Sequence, residues 1–448
     1  MVSRTRAQLI SAVFTVVSVA SPILNAQQKV ILDTDPSSDP DDVGCMAMLH
    51  TMASRGECEI LAVINSIDHK EGSLSISAIN QFYGRPAIPV GDYKGYEVQK
   101  SAPEDLYSHM LSEEYPRSLK DHTDAIDSVR LYREILATAD PKSVTIIVIG
   151  TMHNFYALLK SESCEFSPLN GKKLVEEKVA GVVTMGGNFI GGKGLDRTNW
   201  GGAVELCSYT KWSCLNAQRN QMCRYVLENC TAPFTASGWE VGCGDYYNAQ
   251  QGNVMTGQAL KSLPENHIVR RSYEYHFGKR GGSEKIDRHS NDQCALHYAI
   301  RGEGENYQAY LDGDIDLSEK GVCRWTDKID RNQGYIQKKR DPEAIAQEIE
   351  ALMLGAVVAN DLKPAKPQQL EYKELGSGRG HLTWKAPQER KAGTWVVAYR
   401  VYDGDELLGT AFGTQFTDSR ANRSASNHRY RVVAVSAHGA FSDAAVVD

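Results

Sequence analysis

Between Val30 and Asp42 the chain reads VILDTDPSSDPDD, which brings Asp33, Asp35, Asp39, Asp41 and Asp42 within ten positions. Carboxylates crowded in this way repel one another, and some are driven towards the protonated form unless a cation neutralises them. Their hard oxygen donors favour Ca²⁺ or Mg²⁺. The loose shell of Ca²⁺ suits scattered acids completed by a backbone carbonyl and substrate hydroxyls. A solvated acidic turn with one Asp capping a helix would account for Asp41 or Asp42, but not for the whole cluster.

The elements around the cluster say where it sits. VILD is a short apolar run, and a helical stretch follows from Val43 to Ser54. EILAVI (Glu59 to Ile64), helical SISAINQFYG, IPVG, VTIIVIG (Val144 to Gly150), helical NFYALLKS and VAGVVTMGG (Val179 to Gly187) continue the alternation. Apolar, β-branched runs separated by helices predict an α/β domain with an open, mainly parallel sheet flanked by helices. In such a sheet ligands bind beyond the carboxyl ends of the strands, where the acidic run lies. Past the Pro-containing LKPAKP, the segments LTWKAP, WVVAYRVYDG, LLGTAFGTQFTD and YRVVAVSAHGAFS predict a small all-β sandwich of about 80 residues.

The 448 residues are 42% hydrophobic and 23% charged, which excludes a disordered or multi-span membrane chain. A formal charge of −7 argues against a nucleic-acid binder. Arg4 and Arg6, the apolar run LISAVFTVVSVASPIL and Ala26 predict a signal peptide over residues 1–26, hence an exported protein (periplasmic, cell-surface or extracellular) with no membrane span once matured. Five of the ten cysteines fall between Cys207 and Cys243 without C-x-x-C spacing. In an oxidising compartment they predict disulfides rather than zinc. The expected division is a leader over 1–26, an α/β domain over 27–360, a linker over 361–367 and the sandwich over 368–448.

The strand–loop–helix VILDTDPSSDPDD resembles the DxDPGxDDA opening of the inosine-uridine preferring nucleoside hydrolase family, with Ser37 where Gly is usual and a loop two residues longer. The resemblance spans roughly residues 30–359. It implies that Asp35 is general base and calcium ligand, Asp42 a calcium ligand and Asp41 a ribose contact, while Asp33 orders the loop and Asp39, without a clear counterpart, could share these roles. VIGTMHN resembles the turn whose backbone carbonyl ligates calcium, here that of Ile149, with Asn154 capping the next helix. VVTMGGN places Asn188 as a ribose contact. HSNDQCALHYAI supplies Asp292 as the last calcium ligand, but Asn291 stands where a His proton donor is frequent, so either His289 reaches in as the catalytic acid, another group serves, or an activated leaving group needs no acid. For the sugar-binding Asn/Glu motif, Asn216 fits the order of elements, although Cys214 stands in place of Glu; Asn199 and Glu205 are rivals. The tail resembles a fibronectin type III domain, with Trp384, Tyr399, Tyr402 and Tyr430 as core aromatics.

These readings predict an exported, calcium-dependent hydrolase that cleaves the N-glycosidic bond of ribonucleosides or a related ribosyl substrate through an oxocarbenium-like state. The expected partners are that small molecule, a surface or polysaccharide reached through the tail, and further copies of the chain as a homo-oligomer. Two alternatives stand beside it. One is a sugar- or nucleoside-binding protein of the same fold with weakened catalysis, motivated by Asn291 and Cys214. The other is a haloacid-dehalogenase-type phosphatase, which a strand ending in Asp-x-Asp also fits, although Asp292-Gln293 does not supply the acidic pair it needs downstream.

Overall fold

The computed structural model describes residues 27–447 except 68, 95–105, 190–198, 202–209, 245–251, 280, 282–283, 327, 329–330, 356–363, 376–378, 388–395, 412, 419, 421–428 and 437–440, and except the side chains of 210–216, 312 and 397. The leader and part of the linker therefore lie outside the described residues. The first half of the chain runs β1 (Gln28–Thr34), α1 (Asp41–Ser54), β2 (Cys58–Asn65), α2 (Lys70–Phe82), β3 (Val90–Asp92), α3 (Tyr107–Glu114), β4 (Ile126–Asp127) and α4 (Ser128–Thr138). It continues with β5 (Val144–Val148), α5 (His153–Lys160), α6 (Gly171–Lys178), β6 (Val179–Met185), α7 (Thr210–Asn229), β7 (Phe234–Ser237) and α8 (Trp239–Cys243). Then come β8 (Met255–Thr256), α9 (Ile268–Lys279), β9 (Arg288–His289), α10 (Asn291–Arg301), β10 (Tyr307–Leu317), β11 (Cys323–Thr326), β12 (Gln333–Lys338) and α11 (Pro342–Met353).

One ten-stranded sheet, ordered β11-β10-β12-β7-β6-β5-β1-β2-β3-β4, organises this domain. Strands β12 to β4 along that order pair in parallel, and β10 and β11 add an antiparallel edge. The chain moves outward from β1 through β2 to β4, then returns to β5 on the other side of β1. A crevice opens at that reversal, beyond the carboxyl ends of β1 and β5.

Alternation along the strands divides the core in two. Val30, Leu32 and Ile147 face one layer, with residues of α1, α2, α9, α10 and α11. Ile31, Ile146 and Val148 face the other, with residues of α4, α5, α6 and α7. Helix α1 is buried from Asp41 to Thr51 on every side, which is why VGCMAML carries no polar face. Its first turn packs against α10. A methyl group placed on Gly44 would come within 2.6 Å of the Gln293 amide nitrogen and 2.7 Å of the Tyr273 hydroxyl, so glycine there lets the two helices approach at their N-termini.

The tail forms β13 (Gln368–Glu374), β14 (Gly380–Lys385), β15 (Val396–Asp403), β16 (Glu406–Ala411), β17 (Gln415–Asp418), β18 (Tyr430–Ser436) and β19 (Ala445–Val446). Sheets β13-β14-β17 and β16-β15-β18-β19 enclose Leu382, Trp384, Tyr399, Val401, Tyr430 and Val432. Ala398 and Val435 on the outer face of the second sheet join the core of the α/β domain near Phe82 and His267.

The disulfides expected in the cysteine-rich segment do not form among the described residues. Cys223 and Cys230 stand seven positions apart on and just past α7, about 10 Å by helical rise, too far for the bond. Cys230 donates instead to the Ala232 carbonyl at 3.7 Å, and Cys243 lies 3.4 Å from the Asn291 amide nitrogen. Burial pushes both thiols up to about 12, so they stay protonated. Cys207 and the Cys214 side chain lie outside the described residues.

Gly44→Ala should cost about 1–3 kcal/mol by overpacking, measured by chemical denaturation. It should also separate the first turns of α1 and α10.

Candidate active site

The site is built where the chain leaves β1. Asp33, the last buried acid of the strand, accepts hydrogen bonds from the Tyr132 hydroxyl at 2.8 Å and the Asn154 amide at 3.1 Å. Its backbone carbonyl accepts from Ile149 N–H at 2.8 Å, joining the loop after β1 to the loop after β5. Burial raises the Asp33 carboxyl to about 7 against these two hydrogen bonds. Asn154 does not cap α5: it is the second residue of the helix, and its amide nitrogen points back to donate to Asp33 and to the Asn65 carbonyl at 3.0 Å. Gly150 closes the junction. A methyl group there would meet the Ser66 hydroxyl at 2.3 Å and the Asp35 backbone nitrogen at 3.0 Å.

Beyond this floor lies a cavity of about 260 Å³, whose wall includes Asp35, Asp39, Asp41, Asp42, Ile149 and Asp292. Candidate oxygens of Asp41, Asp42 and Asp292 all lie within 4.8 Å of one another. Asp41 and Asp42 occupy the first turn of α1, and Asp292 that of α10. Two helix N-termini thus converge on the three carboxylates, and the positive ends of their dipoles favour negative charge there. The Asp35 N–H at 3.1 Å and the Thr34 hydroxyl both donate to Asp42 Oδ1 and fix its orientation. The Ile149 carbonyl accepts from the Asn199 amide at 2.7 Å, which leaves its second lone pair for another ligand.

Electrostatics set the demand for a cation. Burial, followed by repulsion from neighbouring carboxylates, raises Asp41, Asp42 and Asp292 well above the ordinary carboxyl range. Burial lifts Asp35 to about 8, opposed chiefly by the Arg219 guanidinium. Buried carboxylates of this kind, all hard oxygen donors beside a carbonyl, fit a divalent cation of the Ca²⁺ type. Asp39 behaves differently. Burial pushes it up, but a two-pronged ion pair with Arg288, with Nε on Oδ1 at 2.7 Å and Nη2 on Oδ2, holds it below the usual range.

Asp35, Asp41, Asp42, Ile149 and Asp292 therefore surround one cavity. His289, the other catalytic candidate, does not line it: the half-buried ring receives the Arg288 Nη1 contact at 3.2 Å on its Nδ1. Asn188, just past β6, is also absent from the wall, and its carbonyl oxygen has no hydrogen-bond partner among the described residues. Asn216 lies on α7 with its side chain outside the described residues, as is all of Glu205. Asn199, its rival, is buried in the wall and donates to the Ile149 and Met185 carbonyls. Sequence reasoning did not single out Arg219, Trp239 or Arg288, which complete the wall. For Arg288, a cation four positions ahead of Asp292 was the available signal; Arg219, inside the cysteine-rich helix, offered none.

Among solved structures the chain is similar to a purine-preferring ribonucleoside hydrolase from Gardnerella vaginalis (13% identity, TM-score 0.52), covering 73% of this chain and 98% of that one. It is likewise similar to a plant nucleoside hydrolase (16%, 0.51, 73% and 98%) and to the inosine-uridine preferring nucleoside hydrolase of Bacillus anthracis (13%, 0.51, 74% and 100%). No family model matches the chain, and neither does any curated protein. The α/β domain has the nucleoside hydrolase fold.

A carboxyl whose folded pKa is raised binds more protons folded than unfolded. Its contribution is therefore fully present below the ordinary value of 3.8 and lost as pH rises through the folded value, about 8 for Asp35. The chelator-treated protein should lose stability across that window. Ca²⁺ should restore it most at the alkaline end, by about 2.7 kcal/mol at a hundredfold excess over Kd, and progressively less towards pH 5. Melting curves with and without chelator test this; a calcium shift that Asp292→Asn leaves untouched would place the ion elsewhere.

Proposed function

We propose that the protein is a calcium-dependent ribosidase that hydrolyses the N-glycosidic bond of ribonucleosides or a related ribosyl substrate. The observation that carries this reading is the buried convergence of Asp41, Asp42 and Asp292 beside Asp35 and the Ile149 carbonyl, at the sheet's reversal point.

Asp35, Asp42, Asp292 and the Ile149 carbonyl would hold the ion, and Asp41 would accept a hydrogen bond from a ribose hydroxyl. When bound, calcium supplies positive charge that gathers hydroxyl oxygens and keeps the carboxylates ionised. Asp35 takes the proton of the attacking water on a carboxylate oxygen, a role its burial and the opposing Arg219 charge leave tunable. Negative charge around the sugar stabilises the positive charge that develops at C1′. Met185 and Trp239 contribute apolar surface to the wall, which limits access of competing water. Asn188 and Asn216 stand as further sugar contacts. Export follows from the leader, and the seven-stranded tail, an architecture that fibronectin type III domains share, would direct the enzyme to a surface or polysaccharide.

One observation favours the binding-protein reading: His289 does not line the cavity, and Asn291 cannot donate a proton as an acid. A panel of nucleosides, with free base and reducing sugar followed with and without chelator, separates the two. Chelator-sensitive release of ribose, reduced about 10²–10⁴-fold in Asp35→Ala, supports the ribosidase. Ligand-induced, chelator-sensitive stabilisation without turnover would support the binder.

A further inference from the structure

Hydrolysis at C1′ must deal with the electron pair left on the departing group, and among the described residues the cavity wall offers no imidazole or phenol to protonate it. Of the two guanidiniums in the wall, Arg219 is buried and its charge acts on Asp35, whereas the one that reaches the wall from the exposed side is Arg288. It is permanently charged, its side chain is 24% exposed, and it is anchored through two of its nitrogens by Asp39, itself 37% exposed. These exposures put the pair at the mouth of the cavity, whereas Asp41, Asp42 and Asp292 are nearly fully buried at its base. A sugar seated on the buried carboxylates therefore has its leaving group directed towards the mouth. The same guanidinium fixes the neighbouring His289 ring through Nη1, 3.2 Å from Nδ1. Partial burial and, after it, proximity to that charge disfavour a protonated His289.

Building on the ribosidase reading above, we propose that Arg288 is a catalytic residue that stabilises the leaving group as an anion, in place of a general acid. The bond from C1′ to the leaving atom breaks with its electron pair going to the leaving group. The water oxygen bonds to C1′, and the water proton passes to Asp35. The leaving group departs as an anion against the guanidinium, takes a proton from solvent, and Asp35 returns its own proton to solvent. Asp39 is a positioning residue that aims the guanidinium and, by partly neutralising it, prevents repulsion of the positive charge developing on the sugar. The preferred substrates on this reading are ribosides whose leaving group is a comparatively stable anion, the acidic heterocycles and phenols.

The test is a series of aryl ribofuranosides of graded phenol acidity, together with inosine and uridine, assayed as kcat/KM with wild type, Arg288→Gln, Arg288→Lys and His289→Ala. In Arg288→Gln the loss should grow as the leaving group becomes less acidic, to about 10²–10³-fold for the least acidic. Arg288→Lys, which keeps the charge without the fork, should fall between. A loss equal for every leaving group would mark Arg288 as structural and overturn the proposal, as would a steeper leaving-group dependence in His289→Ala than in Arg288→Gln. Turnover of the series by wild type with either result leaves the ribosidase reading standing; absence of turnover for every riboside overturns both.

Discussion

Bringing several carboxylates out of water into one cavity is the constraint around which the first domain is arranged. Each neighbour raises the cost of ionising the next, and water cannot screen them. The surroundings offset that cost piece by piece. Two helix N-termini point at Asp41, Asp42 and Asp292, Thr34 and the Asp35 N–H hold Asp42, Tyr132 and Asn154 hold Asp33, and Arg288 takes Asp39. What these contacts leave uncompensated is the trio at the base, and there a divalent ion is the economical solution.

The sheet makes the convergence feasible. Because the strand order reverses between β1 and β5, the loops that leave them diverge and open a crevice without breaking backbone pairing. Helix α1, apolar on all sides, is drawn into the layer beneath and carries its acidic first turn with it. Gly44 then permits α10 to come close enough for Asp292 to join. Asp41, Asp42 and Asp292 thus stand on helix N-termini, while Asp35 belongs to the loop after β1, which with the short β9 furnishes the mouth.

How much of this was legible in the chain depends on whether a feature is local. The strands at VILD, EILAVI, VTIIVIG and VAGVVTM are visible because both-face burial demands continuous apolar residues, and the observed strands contain those runs, except that β5 ends at Val148, before Ile149 and Gly150. Asp35, Asp39, Asp41 and Asp42 were visible as type and spacing after a buried strand, whereas Asp292 was visible only through the resemblance of its segment. Ile149 was legible only through its motif, because a backbone carbonyl leaves no trace in residue identity. The Asp39–Arg288 pair was not legible, as its members lie 249 positions apart and nothing in either neighbourhood names the other. Asn154 read as a helix cap because Asn commonly caps; the buried Asp33 claimed its amide instead. The cysteines read as disulfides from clustering alone, yet helix geometry keeps Cys223 and Cys230 apart.

That separation of 249 positions also has a bearing on when the cavity comes into being as the chain folds. The loop after β1 and the first turn of α1 emerge early with four carboxylates, whereas Arg288 and Asp292 become available only after most of the domain has been made. Contacts of such long sequence separation carry a large loop-closure entropy, which slows their formation. The acidic loop is therefore made long before the guanidinium and the fifth carboxylate that share its cavity, and the pocket is closed by residues from the far end of the domain.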